Sequence, residues 1–323
     1  MEKISVVVPI HNEEENLQSL YGRLKAVLQK LPDMTHEIIL VDDGSTDRSL
    51  EVIKSLAASD GAVKYLSFSR NFGHEPATTA GLDRAGGDCV VIIDGDLQDP
   101  PEVIEEMVKK WREGYHLVYA QRRSRAGESF FKKFSSSLFY RVINVISERK
   151  MPLDTGDFRL MDRKMVEAFR EMGDYNRMVR GMVAWLGFRQ TGIKYDRDER
   201  HAGVTKYGFL RLLWLSFDAV TSFSIIPLRV SAWIGFFITI LSILSGIAVI
   251  YDKFFGTLNI PGYALLTVGV FFLGGVQLFI LGIIGEYIGK IYQQVLCRPL
   301  YVVADEKGFQ EAPPPACDRL ENP

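Results

Sequence analysis

Cysteine is scarce: three in 323 residues, with no Cys-x-x-Cys pair. That excludes a zinc-cluster or disulfide-framework protein, and Cys89, Cys297 and Cys317 read as free thiols of a reducing compartment. An excess of charge is also missing. The net charge is -2, so there is no overall basic surplus to release counterions, and nucleic acid is not an expected partner. No Gly-x-Gly-x-x-Gly follows the first strand and no Walker loop occurs, which excludes a standard dinucleotide or P-loop site. Met1-Glu2-Lys3-Ile4 leads straight into a strand, so no signal peptide is expected. Long apolar runs are absent up to about Arg200, and that part reads as soluble α/β. From Phe209 to Tyr292 the chain reads as membrane.

Within the first part, Val90-Val91-Ile92-Ile93 suits a strand buried on both faces, and it ends in Asp94-Gly95-Asp96-Leu97-Gln98. In extended chain, alternate side chains share a face, which predicts Asp94, Asp96 and Gln98 on one side. Two carboxylates about 6 Å apart repel by roughly 3 kcal/mol at an effective dielectric near 20, and a divalent cation reverses that. Oxygen ligands at a strand end point to Mg²⁺ or Mn²⁺. The competing reading is an acidic turn before a helix that starts near Pro100-Pro101.

Strands Ile4 to Ile10, Glu37 to Val41, Val63 to Phe68 and Leu117 to Ala120 alternate with helical stretches, which predicts a mostly parallel, doubly wound sheet. A helix is expected from the Glu13-Glu14-Glu15 run to about Leu31, the acids suiting its dipole. Asp42-Asp43 closes the second strand. These acids could accept hydrogen bonds from a nucleoside's ring N–H and ribose hydroxyls, while Ser45 or Thr46 caps the next helix. Ala77, Gly81 and Ala85 recur every four residues, as in a helix lying close on a sheet. Thr155 to Met161 reads as a loop entering a strand or helix, Arg177 to Gly187 as a helix and Gln190 to Tyr195 as a strand.

Arg122, Arg123, Arg125, Lys132, Lys133 and Arg141 interleave with Phe130, Phe131, Phe134 and Phe139, which fits an amphipathic segment at an anionic membrane surface over 122–150. Residues 207–228 are expected as an interfacial helix, and 229–251 and 262–288 as transmembrane helices. A run of about 21 apolar residues makes ~31 Å of helix, enough to span. Arg211, Arg229, Lys290 and Arg298 put 1–206 and the 289–323 tail on the cytoplasmic side by the positive-inside rule, with disorder from about 310. Gln277 is expected to bond a neighbouring helix, and Gly274-Gly275 and Gly282 to permit close packing, hence a homo-oligomer.

Five stretches occur in order: Val8-Pro9-Ile10-His11-Asn12-Glu13, Val41-Asp42-Asp43-Gly44-Ser45-Thr46-Asp47, Arg70-Asn71-Phe72-Gly73, Asp94 to Pro101, and Arg200 to Tyr207. Together they resemble the polyprenyl-phosphate glycosyltransferases of inverting family 2, of the bactoprenol glucosyltransferase and dolichol-phosphate mannose synthase type. The resemblance covers about residues 4–300. It implies a GT-A fold, a nucleotide-sugar donor and a polyprenyl-phosphate acceptor. It assigns Pro9, Asn12, Glu13, Asp42, Asp43 and Asp94 to the nucleotide sugar. It assigns Asp94, Asp96 and Gln98 to Mg²⁺ or Mn²⁺, and Asp157 to a base or positioning role. Asp94, Asp96, Asp157 and Arg200 form the expected catalytic set. A phosphate monoester is largely deprotonated at pH 7 and needs no strong base, only cations to steer it. Arg122, Arg125, Lys132, Arg200 and Lys206 are the candidates. Thr205 departs from the serine frequent in relatives, but keeps the hydroxyl.

The expected reaction is transfer of glucose from UDP-glucose to undecaprenyl phosphate, giving a β-linked product in the inner or plasma membrane. GDP-mannose and a UDP-aminopentose are alternative donors. A processive synthase is disfavoured because no Gln-x-x-Arg-Trp occurs and two spans are few. A non-catalytic, membrane-anchored nucleotide-sugar scaffold is the rival of another class. A transporter fits poorly, since two spans lack transporter repeats.

Overall fold

The structure, a computed structural model, describes residues 1–123, 155–174, 177–196, 226–255 and 262–309. Arg125, Lys132, Arg200, Thr205 and Lys206 lie outside the described residues, as do most of the amphipathic segment 122–150, the expected interfacial helix up to residue 225, and the tail from 310. The chain divides into two compact units, Met1–Tyr207 with Cys297–Pro323, and Gly208–Leu296.

The first unit carries β1 (Glu2–Ile10), α1 (Leu17–Gln29), β2 (Met34–Asp42), α2 (Ser49–Ser59), β3 (Val63–Phe68), α3 (His74–Arg84), β4 (Cys89–Ile92), α4 (Val103–Arg112) and β5 (Leu117–Arg122). Then come β6 (Thr155–Asp162), α5 (Arg163–Glu171), α6 (Val179–Leu186) and β7 (Gln190–Tyr195), and after the second unit β8 (Val303–Lys307). The eight strands form one sheet in the order β7-β5-β6-β4-β1-β2-β3-β8.

β4, β1, β2 and β3 run parallel, so their carboxyl ends share one edge. β6 is antiparallel to both β4 and β5, and β8 is antiparallel to β3. The sheet is therefore mixed, with parallel pairing at its centre. β8 also departs from the expectation of a plain tail: part of it is the sheet's edge strand.

Apolar residues cover both faces. Ile4, Val6, Val8 and Ile10 of β1 join Leu17, Leu20, Leu24 and Leu28 of α1 in one buried cluster. On the other face α3 lies close, since a Cβ on Gly81 would stand 2.2 Å from Val7 Cγ1. Ala77 and Ala85 are buried beside it, as their spacing predicts. Pro9 sits in a central strand without loss. The carbonyl of Val7 accepts from Ile93 N, so residues 7 and 9 both face β4, and β4 pairing stops at Val7. The α1 helix starts only at Leu17, so Glu13, Glu14 and Glu15 precede it rather than open it. Cys89 is a buried free thiol, as the sequence reading expects.

The second unit holds α7 (Ile226–Phe255) and α8 (Gly262–Val295). Each contains a segment long and apolar enough to cross a membrane, Pro227–Ser245 and Phe272–Val295, and almost none of either is buried. An apolar groove lies between the helices, lined by Ser231, Ile234, Phe272, Gly275, Val276 and Phe279. Gln277 is exposed.

Candidate active site

The shared carboxyl edge of β1, β2, β3 and β4 gathers four loops. Two of them interlock. Asn12, held at φ 58°, donates its N–H to Ser45 Oγ (3.0 Å) and accepts from Thr46 N at Oδ1 (2.7 Å). Glu13 N donates to Ser49 Oγ (2.9 Å), and Glu13 Oε2 accepts from Asn16 Nδ2 (2.6 Å). His11 and Asn12 are exposed at this lip, while Pro9 beneath them is buried.

Asp42 and Asp43 lie under the same lip at 1% and 3% exposure. Asp42 accepts from Ser67 Oγ (2.9 Å) and Ser45 N (3.1 Å). Asp43 accepts from Phe72 N (2.7 Å) and Gly73 N (2.9 Å). Both acids, expected at a nucleoside, thus brace the protein's own loops. Burial raises the Asp43 pKa, and the two backbone hydrogen bonds only partly offset it. Gly44 is required here: its φ is +61°, and a Cβ would stand 2.4 Å from the Arg70 carbonyl carbon.

The second half of the site lies where β4 meets β6. The strand ends at Ile92, the chain turns at Gly95-Asp96, and buried Leu97 takes φ 59°. Asp94, Asp96 and Gln98 therefore do not alternate along extended chain; Asp96 Oδ1 instead accepts from Gln98 N (3.1 Å). The turn reading of this stretch holds, and the shared-face argument fails because the turn at Gly95-Asp96 and the αL backbone at Leu97 break the two-residue period.

A different alignment replaces it. The β4–β6 register runs from Cys89↔Asp162 to Ile92↔Arg159. Continued two steps, it sets Asp94 opposite Asp157. His74, Asp94 and Asp157 offer ligand atoms all within 4.8 Å of one another. His74 Nε2 meets Asp94 Oδ1 at 2.9 Å. Arg180 forks onto Asp157, Nε to Oδ1 (2.6 Å) and Nη2 to Oδ2 (2.8 Å). Arg159, 3% exposed, places Nη2 3.6 Å from Asp157 Oδ1 and donates to Gly156 O (2.9 Å). Glu75 accepts from Val179 N (3.0 Å), joining the starts of α3 and α6.

These contacts set the protonation states. Burial alone would raise the Asp157 pKa, but Arg180, Arg159 and His74 bring it down to about 2. Burial would lower the His74 pKa, but the Asp94 hydrogen bond and the fields of Asp94, Asp157 and Glu75 raise it to about 9. Glu75 is shifted up by burial and by Asp157. Glu75, Asp94 and Asp157 thus interact with His74, Arg159 and Arg180 in one cluster. Each Asp157 oxygen already accepts one hydrogen bond from Arg180. Oxygen donors at Asp94, Asp96 and Gln98 fit a hard divalent cation by type, though Asp96 falls outside the close cluster.

Arg122, at the end of β5, is half-buried beside this cluster. Its Nη2 would be 3.5 Å from a Cβ on Gly156, next to Asp157. Tyr195 bonds Arg122 and donates its hydroxyl to buried Asp99. Among the described residues, Arg122 Nε is buried without a hydrogen-bond partner. Sequence reasoning missed His74, Glu75, Arg159 and Arg180. Arg159 carried a signal, lying two residues from Asp157 on a strand and so on the same face. His74-Glu75 directly follows the Arg70 to Gly73 motif. Nothing local marked Arg180.

The carboxyl edge of this mixed α/β sheet is lined by acids and arginines, and the chain also has two helices long and apolar enough to cross a membrane. The chain belongs to glycosyl transferase family 2, whose pattern matches residues 5–170, and residues 226–291 match the GtrB C-terminal hairpin. It is 46% identical to a glycosyltransferase of Synechocystis sp. over 96% of this chain and 98% of that one. It is 42% identical to the bactoprenol glucosyl transferase of Shigella phage SfV, over 94% of this chain and 99% of that one. Among solved structures, mannosyl-3-phosphoglycerate synthase from Rubrobacter xylanophilus aligns at TM-score 0.48 and 21% identity, covering 68% of this chain and 72% of that one.

Proposed function

We propose that this enzyme transfers glucose from UDP-glucose to undecaprenyl phosphate, inverting the anomeric centre to give the β-linked lipid-phospho-sugar. The observation that carries this reading is the Asp94–His74 and Asp157–Arg180 cluster at the carboxyl edge of the sheet. The glucosyl reading draws on the similarity to bactoprenol glucosyl transferases. The two long apolar helices favour a lipid acceptor at a membrane, with the first unit on the cytoplasmic side.

The chemistry follows from charge. An acceptor phosphate oxygen attacks the anomeric carbon, and the bond from that carbon to the donor's β-phosphate oxygen breaks. The electron pair leaves with the nucleoside diphosphate. The acceptor is already deprotonated, so no general base is needed. Asp157, with its pKa near 2 and both oxygens on Arg180, holds the guanidinium in place rather than accepting a proton. Arg180 and Arg122 lower the repulsion between two anionic phosphates. Arg125, Lys132, Arg200 and Lys206 are assigned the same steering role. Asp94, Asp96 and Gln98 would hold Mg²⁺ or Mn²⁺, which neutralises charge on the departing diphosphate. Asn12, Glu13 and the braced loops above Asp42 and Asp43 shape the nucleoside end.

A donor screen tests the reading. Purified protein in detergent is incubated with undecaprenyl phosphate, Mg²⁺ or Mn²⁺, and labelled UDP-glucose, UDP-galactose, a UDP-aminopentose or GDP-mannose. Lipid-extractable label from UDP-glucose, lost with EDTA and in Asp96→Ala, is the expected result. Label from another donor moves the sugar and keeps the mechanism. No label from any donor, with nucleotide still bound, favours the scaffold reading.

A further inference from the structure

The chain leaves α8 at Val295 and returns to the sheet at Val303. Just before β8, the Tyr301 ring stacks on Phe68 at 5.0 Å with planes 13° apart. Its hydroxyl donates to Asp83 (3.2 Å). Phe68 closes β3 and Asp83 is near the end of α3, so one side chain grips both ends of segment 68–83. Between those ends lie the loop 69–73 and the first turn of α3, with His74 and Glu75.

Further contacts follow the same path. Ser69 N donates to Val302 O (3.0 Å). Phe68 meets Phe72 edge-on at 5.7 Å, and the Arg70 guanidinium lies 4.0 Å over the Phe72 ring. Glu306 pairs with Arg84 (2.8 Å), and Asp305 with Lys54 (2.6 Å). On its far side the loop is held by Asp43, which accepts from Phe72 N and Gly73 N, and by Asn71 Nδ2, 3.2 Å from the His11 ring. The loop is clamped between a buried carboxylate and the returning C-terminal segment.

We propose that Tyr301 is a positioning residue for the donor half of the site. It holds the loop 69–73, and through it the start of α3, in the shape that receives a nucleoside diphosphate. That last step rests on the transferase reading above; the brace itself does not. Its effect is local, because the stack and the hydrogen bond join only the two ends of this one segment.

The test compares wild type, Tyr301→Ala and Tyr301→Phe by amide hydrogen exchange and by glucosyl transfer. In Tyr301→Ala the amides of Phe72 and Gly73 exchange about tenfold faster, while those of Val6 and Val7 in β1 are unchanged. The donor KM rises about fivefold, with acceptor KM and kcat within about twofold. Tyr301→Phe keeps the stack and restores most of both. Unchanged exchange at Phe72 and Gly73, or an equal rise across β1, overturns the brace. If wild type transfers no sugar from any donor, the transferase reading falls and the exchange data still decide the brace.

Discussion

Asp43, buried, and Asp157, half-buried, are both acids on the functional edge, and their pKa values move in opposite directions. Asp43 is tied by two neutral backbone N–H groups, and desolvation wins. Asp157 is tied by a forked guanidinium, with a second one behind it, and charge wins. Dipoles shape a loop; full charges create a fixed field. On the proposed reading the donor half is a mould, and the Asp157 half an electrostatic clamp for an incoming anion.

The largest expected effect is at the clamp. Asp157→Asn keeps the shape but leaves Arg180 and Arg159 without their counter-charge. The expected loss of kcat/KM is about 10³-fold, roughly 4 kcal/mol, together with a lowered melting midpoint from the lost ion pairs. Near-normal turnover would remove Asp157 from the site and dissolve the contrast.

Glu37 sharpens it next. This acid, 2% exposed, lies on the strands but away from the site, bonded to Lys3, Lys64, Ser5 and Gly86 N. Burial alone would raise its pKa, but these partners bring it from 4.5 down to about 2. A depressed folded pKa stabilises above the unfolded value and loses that contribution as pH falls. About 3 kcal/mol should therefore fade between pH 4.5 and 2. Denaturant melts across this range check it, and Glu37→Gln should remove about 3 kcal/mol of the dependence, leaving the share of Asp157 and the other depressed acids, with kcat at pH 7 unchanged. Charge pairing with no functional consequence is the outcome expected there.

The smallest effect belongs to the mould. Asp43→Asn retains one acceptor oxygen but cannot serve both Phe72 and Gly73. A stability loss of about 1–3 kcal/mol and a higher donor KM are expected, with acceptor KM unchanged. Chemical denaturation and donor titration separate the two. A change in acceptor KM instead would erase the division of labour.

Much of this was legible in the chain, for identifiable reasons. The central strands announced themselves by continuous apolar runs, β7 by Gln190 to Tyr195, and the α3 packing by Ala77, Gly81 and Ala85. β8 was not legible, because Val303-Ala-Asp-Glu-Lys307 is a charged edge strand, as exposed edges tend to be. The antiparallel course of β6 was hidden too, and with it the Asp94–Asp157 alignment. The Asp-Gly-Asp stretch lies at the carboxyl edge, as read, but not in the geometry read, since a turn at Gly95-Asp96 and a left-handed Leu97 broke the alternation on which the argument rested. Arg180 reaches Asp157 across 23 residues of sequence, and no local pattern encodes that contact.

The central claim is that Asp157 acts through Arg180, not as a base. A double-mutant cycle tests it most directly, with labelled glucose transfer from UDP-glucose to undecaprenyl phosphate as readout. The variants are Asp157→Asn, Arg180→Lys and the pair. The account predicts that the double variant is within about threefold of Asp157→Asn alone, because the second change removes a partner already released. Losses that multiply would show that Asp157 works independently of Arg180, and would contradict the account.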